Sequence, residues 1–286
     1  MITAYIDGDW ILYAAGFAGQ KSQFVFIDED YCAFAKNITE LRARLEEDAV
    51  AFKEQHVFSR NILDPEAHFY HSAKKMIEGN LQKIQDKFKQ DVKPVLLMDG
   101  DGNFRNRIAT IRAYKGTRSV HAKPLMYNDI KKYLLDNWDA ELIHGQETDD
   151  EMAIRQTQAE GKTIIVAVDK DMLQVPGWHL NPNKGFKKIG PQEGLERLYA
   201  QCLTGDSVDN IAGCYKVGPK RAKALICGQK LPEVAMWANT LEAYEQSVEK
   251  YGAEIYGGLP PIRAAIENMR LVYLRREYGE TWTPPC

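Results

Sequence analysis

Residues 164–171 read Ile-Ile-Val-Ala-Val-Asp-Lys-Asp, an apolar run that ends in two acidic residues. A run of this length, rich in Ile and Val, is typical of a parallel strand buried on both faces. The same pattern recurs where Tyr5-Ile6 precedes Asp7-Gly8-Asp9 and where residues 95–98 precede Asp99-Gly100-Asp101. The chain therefore predicts an α/β fold with a central, mostly parallel sheet flanked by helices.

Two further acidic clusters accompany these strand ends. Glu147-Thr148-Asp149-Asp150 follows the short apolar stretch Leu142-Ile143, and Gly205-Asp206-Ser207-Val208-Asp209-Asn210 lies further along. Because ligands of open α/β sheets bind beyond the carboxyl ends of the strands, the carboxylates are expected at one site. So many negative charges require neutralisation, and ligands that are all oxygen favour Mg²⁺ or Mn²⁺ over zinc.

The composition is that of an ordinary soluble globular protein. The 286 residues are 44% hydrophobic and 27% charged, so disorder is not indicated, and the net charge of −3 alone neither favours nor excludes nucleic acid. The five cysteines form no CxxC pair, which fits a reduced cytoplasmic protein. The N-terminus lacks a basic signal-peptide region, and no apolar run approaches the ~20 residues that cross a membrane.

Basic residues concentrate in two segments. Eight of them lie between Arg105 and Lys132, where Asp129 is the only acid, and the segment from Lys216 to Lys230 contains no acid. Residues 18–65 carry no readable motif, although Phe24 to Ile27 could form an edge strand. The acids thus gather at strand ends while the bases form two patches.

The most specific string is Asp206-Ser207-Val208-Asp209-Asn210-Ile211-Ala212-Gly213, followed by Val217-Gly218-Pro219-Lys220-Arg221-Ala222. Gly213 and Gly218 permit tight turns between two short helices, and Pro219 suits a first helical turn. The N–H groups of that helix start, beside Lys220 and Arg221, form an end that can bind phosphate. The string resembles the helix–three-turn–helix of the flap endonuclease family, which grips duplex DNA by its backbone.

The resemblance extends over roughly residues 2–225. In motif order and spacing the chain is similar to bacterial and bacteriophage 5′–3′ exonucleases of that family, of the podophage type, and it implies their PIN-like fold. The metal ligands that it implies are Asp7, Asp99, Glu147, Asp149, Asp150, Asp169, Asp171, Asp206 and Asp209. Two Mg²⁺ or Mn²⁺ ions are expected. The first would be held by Asp7, Asp99, Glu147 and Asp149, and the second by Asp169, Asp171 and Asp209, with Asp150 and Asp206 shared or lying behind the ligands.

The resemblance also implies the groups that handle DNA. Lys115 and Arg118 are the expected catalytic cations, which would draw the scissile phosphate onto the metals. The expected DNA-binding residues are Tyr13, Arg105, Arg107, Tyr114, Gly213, Val217, Gly218, Lys220 and Arg221. The basic stretch from Arg105 to Lys123 would form an arch through which a single-stranded 5′ end threads.

Domain organisation and function follow from the same resemblance. Residues 1–200 are expected to form the α/β nuclease domain with a helical arch at about 102–135, and residues 201–286 a helical region with the helix–three-turn–helix at about 201–226. The implied activity is metal-dependent 5′–3′ exonuclease and flap endonuclease hydrolysis by a two-metal mechanism. The implied partner is DNA with a 5′ end, flap or nick. RNA–DNA hybrids are a further substrate that the resemblance implies. A monomer, and a potassium ion at the turn motif, are also implied.

The sequence departs from the family pattern at two positions. Lys216 stands where many relatives carry Gly, and Ala212 where many carry Pro. Both positions lie in the turn motif. The backbone geometry of that motif is therefore the feature for which the sequence pattern is least informative.

Alternative interpretations exist for several of these residues. Asp9 and Asp101 are better explained as helix N-caps, Asp206 could stabilise its turn through backbone hydrogen bonds, and Tyr13 could be a core aromatic. The rival enzyme class is a haloacid-dehalogenase-like phosphatase, which Asp7-Gly8-Asp9 imitates; however, Trp10-Ile11 follows where that class expects Thr or Val. A non-enzymatic DNA-binding module would be expected to have lost a carboxylate.

Overall fold

The computed structural model describes residues 1–64, 68–117, 123–228 and 230–286, and the chain divides into two compact units. The first comprises Met1–Gly8, Asn80–His121 and Asp139–Cys286, and the second Asp9–Gly79 and Ala122–Trp138. The strands are β1 (Ile2–Asp7), β2 (Gln20–Asp28), β3 (Tyr31–Ala35), β4 (Val57–Leu63), β5 (Val92–Asp99), β6 (Glu141–Ile143), β7 (Thr163–Val166), β8 (Gly177–Asn181) and β9 (Gly185–Ile189). The α-helices are α1 (Gly8–Ala18), α2 (Ile38–Glu47), α3 (Phe69–Phe88), α4 (Arg105–Ile108), α5 (Tyr127–Trp138), α6 (Thr148–Gln158), α7 (Pro191–Thr204), α8 (Pro219–Ile226), α9 (Glu233–Tyr251) and α10 (Pro261–Val272).

The first unit is built on a six-stranded sheet of order β6-β5-β1-β7-β8-β9. All neighbouring pairs are parallel except β8 and β9. In the centre, Ile6 lies opposite Leu96 on one side and Val166 on the other, and all three are fully buried. Burial on both faces explains why these strands are continuous apolar runs. The predicted fold class, a mostly parallel sheet flanked by helices, is confirmed.

Helices α7 to α10 share one apolar core in the first unit. Tyr199, Tyr244, Tyr256 and Met269 are its fully buried or nearly fully buried centre. Gly190 and Gly218 precede α7 and α8, each of which begins with a proline. The predicted boundary at 200/201 falls inside α7, and the division into residues 1–200 and 201–286 stays a prediction, as does a helix–three-turn–helix at 201–226.

The second unit contains a separate three-stranded antiparallel sheet of order β3-β2-β4. Helix α2 covers one face through Leu41 and Leu45, which are buried with Phe26. The strand expected near residues 24–27 therefore exists, but it is the central strand of this small sheet and not an edge strand. Tyr13, in the same unit, packs edge to face against Tyr127 with 5.7 Å between ring centroids.

The segment expected to form an arch contains little helix before residue 118. Helix α4 is a single turn, Arg105–Ile108, and bends and turns follow it to Thr117. Arg118, an expected catalytic residue, lies outside the described residues. In the described portion of the chain, no helix combines the length and apolar character needed to cross a bilayer.

Candidate active site

The acidic residues of the first unit lie along the edge where its parallel strands end. Asp7 is the last residue of β1 and Asp99 the last residue of β5. Thr148 donates from both its backbone N–H and its Oγ1 to Asp99 Oδ1, each at 2.8 Å. The start of α6 thus orients the Asp99 carboxylate.

Glu147 precedes α6 and is surrounded by donors. Its Oε2 accepts from the Tyr114 hydroxyl at 2.9 Å and lies 3.3 Å from Arg105 Nη1, and its Oε1 contacts Lys115 Nζ. Burial raises the pKa of Glu147, but the positive charges of Arg105 and Lys115 outweigh it and hold the pKa below its ordinary value. This carboxylate is ionised and already faces cations.

Asp149 is the point where the negative charges converge. The pKa of its carboxyl is raised well above the ordinary value, first by lost hydration and then by nearby carboxylates. Those carboxylates are Asp169, Asp7, Glu147 and Asp99. Four acidic residues from separate parts of the sequence are therefore close enough to Asp149 to oppose its ionisation, as expected from their positions at strand ends.

Asp169 and Asp171 follow β7 and are held by the chain around them. Asp169 Oδ1 accepts from the Asp171 N–H at 2.8 Å, and Asp171 Oδ2 accepts from Gln201 Nε2 at 2.6 Å. Burial, followed by the charge of Asp169, raises the pKa of Asp171 to about 6, and Asp206 adds to the effect. Asp171 is thus in the same negative field as the other strand-end acids.

The loop between α7 and α8 brings in Asp206 and Asp209. Asp206 Oδ1 accepts from the N–H groups of Val208 at 2.7 Å and Asp209 at 3.2 Å. Asp206 and Ile211 also exchange two backbone hydrogen bonds, at 3.0 and 2.7 Å. Asp209 Oδ2 accepts from the Tyr114 hydroxyl at 2.9 Å. Asp206 has the turn-stabilising role, and Tyr114 links Asp209 to Glu147.

Arg105 and Asp150 are corrected by the structure. Arg105 is 1% exposed, and its Nη1 and Nη2 bind the two oxygens of the fully buried Asp150 at 2.5 and 3.0 Å. A guanidinium buried in this way cannot contact DNA, so that prediction is wrong. Because both Asp150 oxygens are already bound, we reassign Asp150 from metal ligand to counter-ion of Arg105.

Three other expected DNA-binding residues are interior. Tyr114 and Val217 are 8% and 6% exposed, and the Gly213 N–H donates to the buried Asn268 Oδ1 at 2.9 Å. These residues support the site and the turn from the interior. The side chains of Tyr114 and Val217 and the N–H of Gly213 do not face a phosphate at the surface. The remaining residues of that group in the first unit are exposed at the surface: Arg107, Gly218, Lys220 and Arg221.

Known proteins resemble this chain in sequence and in fold. The 5′–3′ exonuclease of Buchnera aphidicola subsp. Schizaphis graminum (strain Sg) is 32% identical over 166 residues, which are 51% of this chain and 56% of that protein. The D15 protein of bacteriophage T5, co-crystallised with metal ions, superposes with a TM-score of 0.54 at 14% identity, covering 95% of this chain and 89% of that one. The chain is therefore similar in sequence to a 5′–3′ exonuclease and shares the fold of the T5 D15 protein.

Further matches show how far this similarity reaches. The DNA polymerase I of Rhizobium leguminosarum is 37% identical over 95 residues, 29% of this chain and 9% of that protein. A variant of the T5 flap endonuclease in a complex with DNA and metal ions gives a TM-score of 0.52 at 14% identity, covering 95% and 89% of the two chains. No family model matches the chain. The chain spans about half the length of the exonuclease relative and about a tenth of the length of the DNA polymerase I.

Sequence reasoning did not find the residues that support these carboxylates. Thr148 and Gln201 orient Asp99 and Asp171, and Asn268 fixes the turn. Thr148 could have been noticed, since it stands inside the acidic cluster at a helix start. Gln201 and Asn268 are single amides on α7 and α10, with nothing in their neighbourhood that marks them.

The carboxylates of this chain do not form a preformed metal site. Within the residues that the structure describes, no group of three or more His, Cys, Asp or Glu side chains is arranged to hold an ion. Protein donors occupy several of the oxygens: Thr148 binds Asp99, Gln201 binds Asp171 and Lys115 binds Glu147. The chemistry of the donors, however, is that of a hard divalent cation, because the set is all oxygen and strongly negative.

The backbone conformation of Lys216 leads to a prediction about the stability of the turn. Its φ is +62°, in the left-handed region where a side chain is strained and Gly is not. Replacing Lys216 with Gly should raise the free energy of unfolding by about 0.5 to 1 kcal/mol in urea titrations. Lys216→Ala removes the same cation but retains the strain, so it should bring no gain. Equal effects of the two variants would contradict the strain argument.

Proposed function

We propose that the chain is a metal-dependent 5′–3′ exonuclease and flap endonuclease that hydrolyses phosphodiester bonds of DNA. The observation that carries this proposal is the convergence of Asp7, Asp99, Glu147 and Asp169 on the buried Asp149, whose pKa is raised by burial and then by these charges. Such a field is costly to a folded protein unless a cation neutralises it. The curated 5′–3′ exonuclease relative and the T5 flap endonuclease with DNA and metal ions support the same activity.

The acidic residues fit divalent metal ions of the Mg²⁺ type. Glu147 already takes the Lys115 ammonium, so its environment accommodates positive charge. We assign Asp7, Asp99, Glu147 and Asp149 to one ion and Asp169, Asp171 and Asp209 to the other. When bound, two such ions activate a water and stabilise the leaving oxygen of a phosphodiester. Potassium at the turn, RNA–DNA hybrid substrates and a monomeric state stay predictions.

Lys115 is the described residue best suited to bind the scissile phosphate. Its backbone is fixed because its N–H donates to the Asp209 carbonyl at 2.8 Å, while its side chain is partly exposed beside Glu147. An ammonium held there can bind a phosphate oxygen and stabilise the negative charge that develops during cleavage. Tyr114, the preceding residue, joins Glu147 and Asp209, so the backbone that carries Lys115 is tied to both proposed metal sites.

The start of α8 is proposed to bind the backbone of duplex DNA. Lys220 and Arg221 are exposed in its first turn, which follows Gly218 and Pro219. Replacing both with Ala should weaken duplex binding and reduce the slope of log affinity against log salt by about 2, because roughly one counterion is released per phosphate contact. Fluorescence anisotropy at several salt concentrations measures this slope.

A matched pair of lysines controls for net charge. Lys93 and Lys162 are exposed at the opposite edge of the large sheet, near the starts of β5 and β7. Their double Ala variant changes the charge by the same amount and should leave the slope unchanged. A reduction of the slope in the control, or none in the α8 variant, would refute phosphate binding by α8.

The activity is tested on a 5′-labelled duplex that carries a single-stranded 5′ flap, in magnesium and then in EDTA. Cutting near the junction, or stepwise release from the 5′ end, only in magnesium, is the expected result. Hydrolysis of a small phosphate ester in place of DNA would favour the phosphatase alternative. Binding of the duplex without cutting, in magnesium and in manganese, would leave a DNA-binding module.

A further inference from the structure

The backbone at the end of α10 contacts Arg105 from a distant part of the sequence. Arg105 Nε donates to the Leu271 carbonyl at 2.9 Å, and its Nη2 donates to the Tyr273 carbonyl at 2.8 Å. The remaining donors face Asp150 and Glu147. The guanidinium is thus fixed on one side by two carbonyls and on the other by two carboxylates. We name residues 271–276 the C-terminal clamp.

Two other side chains hold the C-terminal clamp in place. Gln174 Nε2 donates to the Val272 carbonyl at 2.9 Å, and Gln174 Oε1 accepts from the Leu274 N–H at 3.0 Å. The Arg275 N–H donates to Asp150 Oδ1 at 3.1 Å, and its guanidinium lies 3.6 Å from the centroid of the Phe104 ring. The clamp is therefore bound both to the 3₁₀ turn that begins at Asp171 and to α6.

The clamp reaches the Glu147 carboxylate through Arg105. Arg105 Nη1 is 3.3 Å from Glu147 Oε2, and the Glu147 N–H lies 3.4 Å from Asp150 Oδ2. The arginine guanidinium is rigid and planar and has five N–H donors, so it can bind Asp150, Glu147 and both carbonyls at once. A lysine could satisfy only part of this set. The geometry therefore needs arginine and not merely a positive charge.

Stability alone does not account for this arrangement. The side chains of Arg105 and Asp150 are 1% and 0% exposed. Moving two charges out of water costs about as much free energy as their mutual attraction returns. Apolar residues of similar volume therefore often stabilise a fold equally well. An apolar pair, however, could not bind Glu147 Oε2 and so could not fix the orientation of that carboxylate. The benefit of the buried pair is then the fixed position of Glu147 and of the start of α6.

We propose that Arg105 is a positioning residue that sets the Glu147 carboxylate, and that the C-terminal clamp in turn sets Arg105. This inference rests on the proposed function, because it takes Glu147 as a metal ligand. Arg105 touches neither DNA nor metal; it acts through Glu147. The residues beyond 225, which carry no readable motif, thereby acquire a role in the site.

A double-mutant cycle between Arg105 and Glu147 tests the inference. The variants are Arg105→Lys, Glu147→Gln and both together, and the readouts are Mn²⁺ affinity by calorimetry and kcat on the flap substrate. If Arg105 acts through Glu147, Arg105→Lys should lower Mn²⁺ affinity or kcat at least tenfold alone, but less than threefold beside Glu147→Gln. A purely structural role predicts the same loss on both backgrounds, and that additivity would overturn the proposal.

A second variant covers the case in which Arg105→Lys does not fold. Asp150→Asn keeps the side-chain volume and one acceptor oxygen, and the same cycle with Glu147→Gln should show the same non-additivity; thermal melting establishes that each variant is folded. Arg155→Lys, which alters the bidentate pair of Arg155 with Glu141 on the outer part of α6, serves as the matched control and should leave Mn²⁺ affinity within threefold. A wild-type protein that binds Mn²⁺ without cutting DNA fails the proposed function only, because the calorimetric cycle still decides the role of Arg105.

Discussion

Replacing Asp169 or Asp171 with Asn is expected to abolish DNA cutting while duplex binding survives. Both side chains follow β7 in the negative field at the carboxyl edge of the sheet, and each is already oriented by a protein donor. Asn keeps the shape but removes the charge that a divalent ion needs. The expected loss is about 10³-fold or more in single-turnover cutting, equivalent to about 4 kcal/mol of transition-state stabilisation.

Asp171→Asn should also change how the stability of the metal-free protein depends on pH. The folded-state pKa of Asp171 is raised from 3.8 to about 6, so its contribution to stability is complete below about pH 4 and is lost as the pH rises through 6. The wild type should therefore lose about 1 to 3 kcal/mol between pH 4 and pH 7, part of which the variant retains. Urea unfolding in EDTA at a series of pH values measures this difference.

The control for both effects is Asp101→Asn. Asp101 follows the same strand as Asp99 but is exposed, and it is not one of the proposed ligands. It should keep full activity and the wild-type dependence on pH. Retained turnover in Asp169→Asn or Asp171→Asn would remove that residue from the metal site, and an unchanged pH profile in Asp171→Asn would contradict the strained ionisation of that carboxyl.

Gly213→Ala is expected to cost at least about 3 kcal/mol of folding free energy. A Cβ at this position would overlap the backbone N of Gly205 and lie 2.6 Å from the carbonyl carbon of Thr204, and φ is +65°. Backbone atoms of a packed turn cannot move aside cheaply, so overpacking and dihedral strain add. The loop that carries Asp206 and Asp209 should shift with the turn, and cutting should fall as well.

Gly252→Ala separates the two contributions. Its φ is +84°, but nothing lies within 4 Å of the Cβ that alanine would add, so only the dihedral strain of about 1 kcal/mol applies. Denaturant unfolding of the two variants should differ by about 2 kcal/mol or more. Similar losses would mean that the close approach of Gly205 and Gly213 relaxes without cost.

The fold was predictable where one local pattern decided the outcome. The buried strands are Ile- and Val-rich because both faces of the sheet are covered, and the acids that end them necessarily share an edge. The grouping of Asp7, Asp99 and Asp169 around Asp149 was therefore foreseeable from their positions alone. Lys216 was marked by its departure from the expected pattern, and its φ is positive, a conformation that Gly adopts without strain.

Interior roles of charged residues were not predictable in the same way. Arg105 stands in a basic segment, and nothing nearby distinguishes it from exposed Arg107. Its burial depends on carbonyls 166 and 168 positions away, which no local pattern reveals. Tyr114 was similarly assigned to DNA, because its bonds to Glu147 and Asp209 join segments that are distant in sequence. Position along the chain indicates which acids meet, but not which bases are enclosed with them.

The distant anchoring of Arg105 has a consequence for protein synthesis. A ribosome adds about 5–20 residues per second, so Tyr273 is made about 6 to 25 s after Asp150. Within that interval the remaining acids, up to Asp209, are added, and both carboxylates that bind Arg105 are already present, yet the chain still lacks the carbonyls that lock the guanidinium. The acidic site is thus finished late in translation, and a chain that stalls between residues 209 and 271 carries its acids without the carbonyls that hold Arg105.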